Sequence, residues 1–94
     1  MANLITIKEY SVNYNIEPEF LISLEESGIV YFTLEGQEKY IQEEQLSELE
    51  RYIHFHYDLN INIEGIDAIR HLLHKVNQMD SEIRHLRSRL NLHE

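Results

Sequence analysis

The chain contains no cysteine, which excludes a disulfide framework and any cysteine-based zinc site. Its three glycines, Gly28, Gly36 and Gly65, lie far apart. No Walker loop or GxGxxG turn can be assembled from them, and neither HExxH nor G-x-S-x-G occurs. No apolar run approaches the roughly 20 residues that cross a bilayer. The opening Met1-Ala2-Asn3-Leu4-Ile5-Thr6 lacks the basic start and longer apolar run of a signal peptide. A cytoplasmic location is the expectation. Bases are scarce as well: 8 Lys and Arg stand against 17 Asp and Glu, for a net charge of −9.

What is present is one domain's worth of chain, 94 residues. The charge is not spread evenly along it. Residues 1–50 hold eleven acids and two bases, Lys8 and Lys39, while residues 51–94 hold six of each. The whole net charge therefore sits in the first half. Affinity for DNA rests largely on Lys and Arg displacing counterions from phosphate, so this half repels a nucleic-acid backbone. A basic protein would be attracted and steered by it. The simpler reading, that acids only keep a small protein in solution, stands beside this one.

The spacing of apolar residues predicts four helices and a hairpin. Ile7 and Tyr10 share a face of a short first helix over roughly 6–14, with Thr6 as its N-cap. Asn15 is suited to a left-handed turn. Pro18 fits the first turn of a second helix, Phe20, Leu21 and Leu24 give it one apolar face, and Gly28 stops it. Residues 1–28 thus read as a helix-turn-helix. Residues 29–34, Ile-Val-Tyr-Phe-Thr-Leu, read as a strand. Glu35-Gly36 marks a turn and Lys39-Tyr40-Ile41 a returning strand, making 29–42 a wing. A third helix is expected over 43–59, its buried stripe being Leu46, Leu49, Ile53 and Tyr57. Asn62 is placed to cap a long fourth helix over 63–91.

That last helix carries heptads, with Ile69, Val76, Ile83 and Leu90 at a and Leu72, Met79, Leu86 and His93 at d. Its apolar face is broad over 63–76, with Ile63, Ile66 and Leu73 added, and narrow beyond Met79. The early part is expected to pack on the domain. At 1.5 Å per residue the helix is roughly 40 Å long, against a diameter of ~26 Å for a compact chain of this size. Its end must project, and a projecting apolar seam is most simply covered by a second copy. Val76, Met79, Ile83, Leu86 and Leu90 are the expected dimerisation residues.

Chemistry-bearing clusters are few. His54 and His56 point in different directions on a helix, and Asp67, His71 and His74 form the one constellation with metal-ligand spacing. Three polar residues on a solvated helix back are the stronger explanation of that set. No acid–base pair is specified by the many glutamates. No enzyme, metal or cofactor is expected. The nine aromatic residues have few bases among them, which favours core packing and protein contact over base stacking.

The order helix-turn-helix, wing, helix, long dimer helix resembles the MerR family of winged-helix regulators. Two segments resemble a MerR-like subgroup, the CbpM-type chaperone modulators: residues 57–66, Tyr-Asp-Leu-Asn-Ile-Asn-Ile-Glu-Gly-Ile, and residues 16–29, Ile-Glu-Pro-Glu-Phe-Leu-Ile-Ser-Leu-Glu-Glu-Ser-Gly-Ile. The resemblance implies a mainly α, MerR-like winged helix-turn-helix fold. It implies binding to the J-domain of a DnaJ-type, CbpA-like co-chaperone and blocking of its work with Hsp70. A J-domain presents a basic helix, and an acidic helix-turn-helix complements it. The expected contacts are Glu9, Glu17, Glu19, Glu25 and Glu26, with Tyr14 or Tyr31 as an apolar centre.

DNA-binding MerR relatives carry Arg and aromatic residues in the second helix, where base edges and phosphates are met. Here no Lys or Arg occurs between Lys8 and Lys39. DNA is therefore an unfavoured partner, although a MerR-type transcriptional regulator or excisionase-like factor remains the rival reading. A third is a small-molecule sensor with a pocket at the helix-4 dimer, for which no motif specifies a ligand.

Overall fold

In the computed structural model, residues 4–90 are described. The order is β1 (Ile5–Thr6), α1 (Ile7–Tyr14), α2 (Pro18–Glu26), β2 (Thr33–Glu35), β3 (Glu38–Ile41), α3 (Leu46–Ile53) and α4 (Ile63–Leu90). A 3₁₀ turn, Glu43–Gln45, leads into α3, and a π-turn, His54–Asp58, leads out of it. This is a winged helix-turn-helix with a three-stranded antiparallel sheet in the order β1-β3-β2.

Local chemistry sets each helix end. Thr6 Oγ1 accepts from the Glu9 N–H at 3.0 Å, and Glu9 Oε1 accepts from the Thr6 N–H at 3.1 Å. This capping box satisfies two otherwise orphaned donors. Asn15 turns left-handed at φ 56°, and Ile16 N–H reaches back to the Ser11 carbonyl at 2.9 Å. Pro18 opens α2, where no N–H is missed. Gly28, at φ 75°, closes it. Its N–H donates to the Glu25 carbonyl and the Ile29 N–H to that of Leu24, the pair of bonds that defines a Schellman motif.

That motif explains why the first wing strand is shorter than the sequence suggests. The strand expected over 29–34 begins only at Thr33. The N–H groups of Ile29 and Val30 are both turned to the Leu24 carbonyl, so they cannot join a ladder. Ile29, Val30 and Phe32 instead fill the core. The hairpin itself pairs Thr33 with Tyr40 and Glu35 with Glu38. Its two-residue loop starts at Gly36, φ 65°, which suits the tight turns of twisted hairpins. β1, which the apolar spacing does not predict, pairs Ile5 with Ile41. At two residues it is too short to show a period.

The core joins Tyr10, Ile16, Phe20, Leu21, Leu24, Ile29, Val30, Phe32, Ile41, Leu49, Tyr52 and Ile66. The third-helix stripe is only partly as expected: Leu49 is buried, Leu46 and Ile53 are half-buried, and Tyr57 is exposed, while Tyr52 is buried in its stead. The cause is the π-turn. Its wider i→i+5 bonding, Leu59 N–H to the His54 carbonyl at 3.2 Å, shifts Tyr57 off the stripe. Tyr57 then lies across Phe20, and its hydroxyl accepts from the Glu17 N–H at 3.1 Å. His56 stacks on Phe20 with ring centroids 4.2 Å apart. The π-turn thus braces the start of α2.

Asn62 Oδ1 accepts from the Gly65 N–H at 2.8 Å and caps α4. Asn62→Ala is expected to cost about 1 kcal/mol in urea denaturation. The 28 residues of α4 extend about 42 Å. Packing ends sooner than the broad apolar face over 63–76 suggests. Ile66 is the one fully buried residue of α4, Ile63, Ile69 and Leu73 are half-buried, Leu72 is exposed, and every residue from His74 to Leu90 is exposed. The radius of gyration, 17.1 Å, exceeds the roughly 12 Å of a compact chain of this length. Since Ile66 is the main anchor, Ile66→Ala is expected to destabilise the domain by about 2–5 kcal/mol, read from the denaturation midpoint. His93 and residue 91, the expected last d position and helix end, lie outside the described residues.

Candidate functional site

The exposed side of α2 is where a helix-turn-helix meets its partner. Glu19, Ile22 and Glu26 follow at i, i+3 and i+7, so they share one face. Both glutamates are exposed, and Ile22 between them is 36% exposed. The result is a strip of two carboxylates flanking an aliphatic side chain, with no base on the helix. Ile22 was not among the contacts expected from the sequence. Phe20, Leu21 and Leu24 set the buried phase, and Ile22 lies out of that phase, which is the signal that it faces outward.

The other expected acids have different fates. Glu25 is half-buried, and its carboxylate pairs with Lys39 Nζ of β3 at 2.5 Å. The wing thereby neutralises one acid of α2 and is tied to it. Glu9 is exposed but holds the capping box of α1. Glu17 is the exposed N-cap of α2 and caps with no side-chain bond. Tyr14 is exposed at the end of α1 and packs on Tyr10, centroids 4.6 Å apart. The Tyr10 hydroxyl has its pKa pushed up to about 12 by burial, with Glu50 and Tyr14 adding to it, so it stays neutral.

Tyr31 is 74% exposed between buried neighbours, and Leu34 of the wing is exposed as well. Tyr31 borders a groove of about 280 Å³ lined also by Ile29, Val30, Glu44, Gln45 and Glu48. Gln45 Oε1 is buried there without a hydrogen-bond partner. Acids, an aromatic face and an unfilled acceptor suit a cationic side chain better than an anion. Glu44 and Gln45 have no periodic signature; the 3₁₀ turn brings them beside Tyr31.

The histidine candidates are used otherwise. His54 pairs with Asp58 at 2.7 Å, and His56 Nδ1 donates to the Ile61 carbonyl at 3.1 Å. The Asp67 carboxylate accepts from Arg70 Nη2 at 2.8 Å and lies 3.5 Å from His71. No group of three or more such side chains is arranged around a metal position among the described residues. No helix of the described residues is long and apolar enough to cross a membrane.

A search of curated proteins and a search of solved structures each gave no significant match. Comparison with protein families matches residues 5–88 to the family described as MerR HTH family regulatory protein. That span takes in the helix-turn-helix, the wing and nearly all of α4, so the chain belongs to the MerR helix-turn-helix regulatory family.

Proposed function

We propose that this MerR-family domain is a non-enzymatic modulator that binds the basic J-domain of a DnaJ-type co-chaperone through α2 and the wing, and so obstructs its work with Hsp70. The observation that carries the reading is the outward face of α2. Where a DNA-binding relative needs bases, it offers Glu19, Ile22 and Glu26, and Lys39 of the wing is already paired with Glu25. Carboxylates around an aliphatic centre fit a basic helix, with charge giving steering and register and the apolar contact giving residence. The groove beside Tyr31 adds a place for a Lys or Arg of the partner. Magnetic-resonance titration of the labelled chain with a purified J-domain tests the site. Shifts are expected on Glu19, Ile22, Glu26 and Tyr31; shifts confined to α4 would refute it.

We infer also that a second copy covers the projecting part of α4. Val76, Met79, Ile83, Leu86 and Leu90 are all exposed on one heptad seam, which a lone helix leaves in water at about 25 cal/mol per Å² of apolar area. The acidic front and the neutral rear then have separate tasks, one for the partner and one for the chain itself.

A further inference from the structure

Beyond the acidic front lies a cleft of opposite character. It holds about 390 Å³ where α4 leaves the domain, and its lining includes Arg51 and Tyr52 of α3 and Arg70, His71, Leu73 and His74 of α4. In a chain of 8 bases and net charge −9, two arginines and two histidines converge on this one hollow. Its volume lies in the range of small-molecule sites.

The donors are not used up by the fold. Arg70 spends Nη2 on Asp67, but its Nε is buried with no hydrogen-bond partner. Leaving a buried donor unmet is costly, and a guanidinium offers five N–H groups. Arg51, across the cleft on α3, makes no ion pair among the described residues. Both guanidiniums act on the Tyr52 hydroxyl. Burial and Glu48 raise its pKa, and Arg70 and Arg51 pull against that rise. Arg51, Arg70 and Tyr52 line the same cleft.

We propose that this cleft binds a small organic monoanion, its carboxylate held between Arg51 and Arg70 and its apolar part resting on Ile29 and Leu73. Glu48 sets the limit on charge. Its carboxylate lies in the same lining, held by the Tyr52 hydroxyl at 3.2 Å, and it opposes a second negative group. The cleft lies off the proposed dimer seam. Arg70, Leu73 and Asn77 follow one face of α4, about 130° around the helix axis from the mean direction of Val76, Met79, Ile83 and Leu86 at 100° per residue. An occupant would tie α3 to the root of α4 while the seam stays covered.

Benzoate, inorganic phosphate and chloride at matched ionic strength serve as probes in magnetic-resonance titrations of the full chain. Benzoate is expected to give saturable shifts centred on Tyr52, Arg70, His71 and His74. These should weaken at least tenfold in Arg51→Gln, an exposed position, with an unchanged circular-dichroism spectrum expected for the variant. Phosphate, lacking the apolar part, should bind more weakly. Equal response to chloride, shifts spread over other bases, or an unchanged response in Arg51→Gln would overturn the site. Phosphate binding as tightly as benzoate would overturn the apolar half of the proposal.

Discussion

Reversing Glu19 and Glu26 together to lysine is expected to lower affinity for a J-domain by about 100-fold or more at low salt, close to 3 kcal/mol at 1.4 kcal/mol per tenfold. Each reversal replaces an attraction by a like-charge contact, and such contacts cost several kcal/mol when held in an interface. Both side chains are exposed, so the fold should survive. The one structural cost is at Glu19, in the first turn of α2, where a lysine opposes the helix dipole by about 0.3–1 kcal/mol. Circular dichroism separates that from the binding loss. Reversing Glu25 is a poorer test, since it would set two lysines against each other at the wing. Calorimetric titration reads the outcome. The loss should shrink as salt rises, because exposed charges are screened within about 10 Å at 0.1 M. Unchanged affinity at low salt would remove α2 from the contact.

Ile83→Asp combined with Leu86→Asp is expected to turn a dimer into a monomer by light scattering at tens of micromolar, with helix content in residues 4–73 preserved. The two positions are neighbouring a and d sites on the exposed part of α4. Burying two carboxylates in such a seam costs several kcal/mol, more than a short coiled coil gains there. The same substitutions lie far along α4 from Ile66, so the core should not respond. A wild-type chain that is already monomeric at this concentration would refute the pairing, and the seam would then need another cover.

The two results are separable by design. Charge reversal on α2 should leave the oligomeric state unchanged, and the α4 variant should still bind one J-domain per chain, with any loss limited to the gain from two linked sites. A variant of either kind that abolishes both properties would indicate that partner and dimer share a surface.

Much of the fold was written locally. Thr6 with Glu9, Asn15, Pro18, Gly28 and Asn62 each act within a few residues, through a cap, a left-handed turn or a missing N–H, and each does in space what its neighbours in sequence suggest. Features that depend on distant partners were not legible. Ile5 and Thr6 become a strand only because β3 lies alongside. Ile29 and Val30 have strand chemistry, yet their N–H groups go to the helix end they follow. Tyr57 carries the right spacing for α3, and the π-turn removes it. The long period of α4 was clear, but the point where it leaves the domain was not. Periodicity reports that a face is apolar, not what covers it.

The candidate site divides along the same line. That the front half is acidic follows from counting. Which acids face outward depends on tertiary contact, and the ion pair between Glu25 and Lys39, fourteen residues apart, has no signature in either segment. It shifts emphasis from Glu25 to Glu19, with Ile22 as the apolar centre of the strip. Arg51 of α3 and Arg70 of α4 line one cleft only through the tertiary fold, since neither segment carries a sign of the other.

The most direct test is fluorescence anisotropy of the labelled chain at low salt, titrated in parallel with a purified J-domain and with mixed-sequence duplex DNA. Saturable binding of the J-domain in the micromolar range or tighter, with no response to the duplex, is the expected result. Tight binding of the duplex with a steep salt dependence, and none of the J-domain, would contradict it.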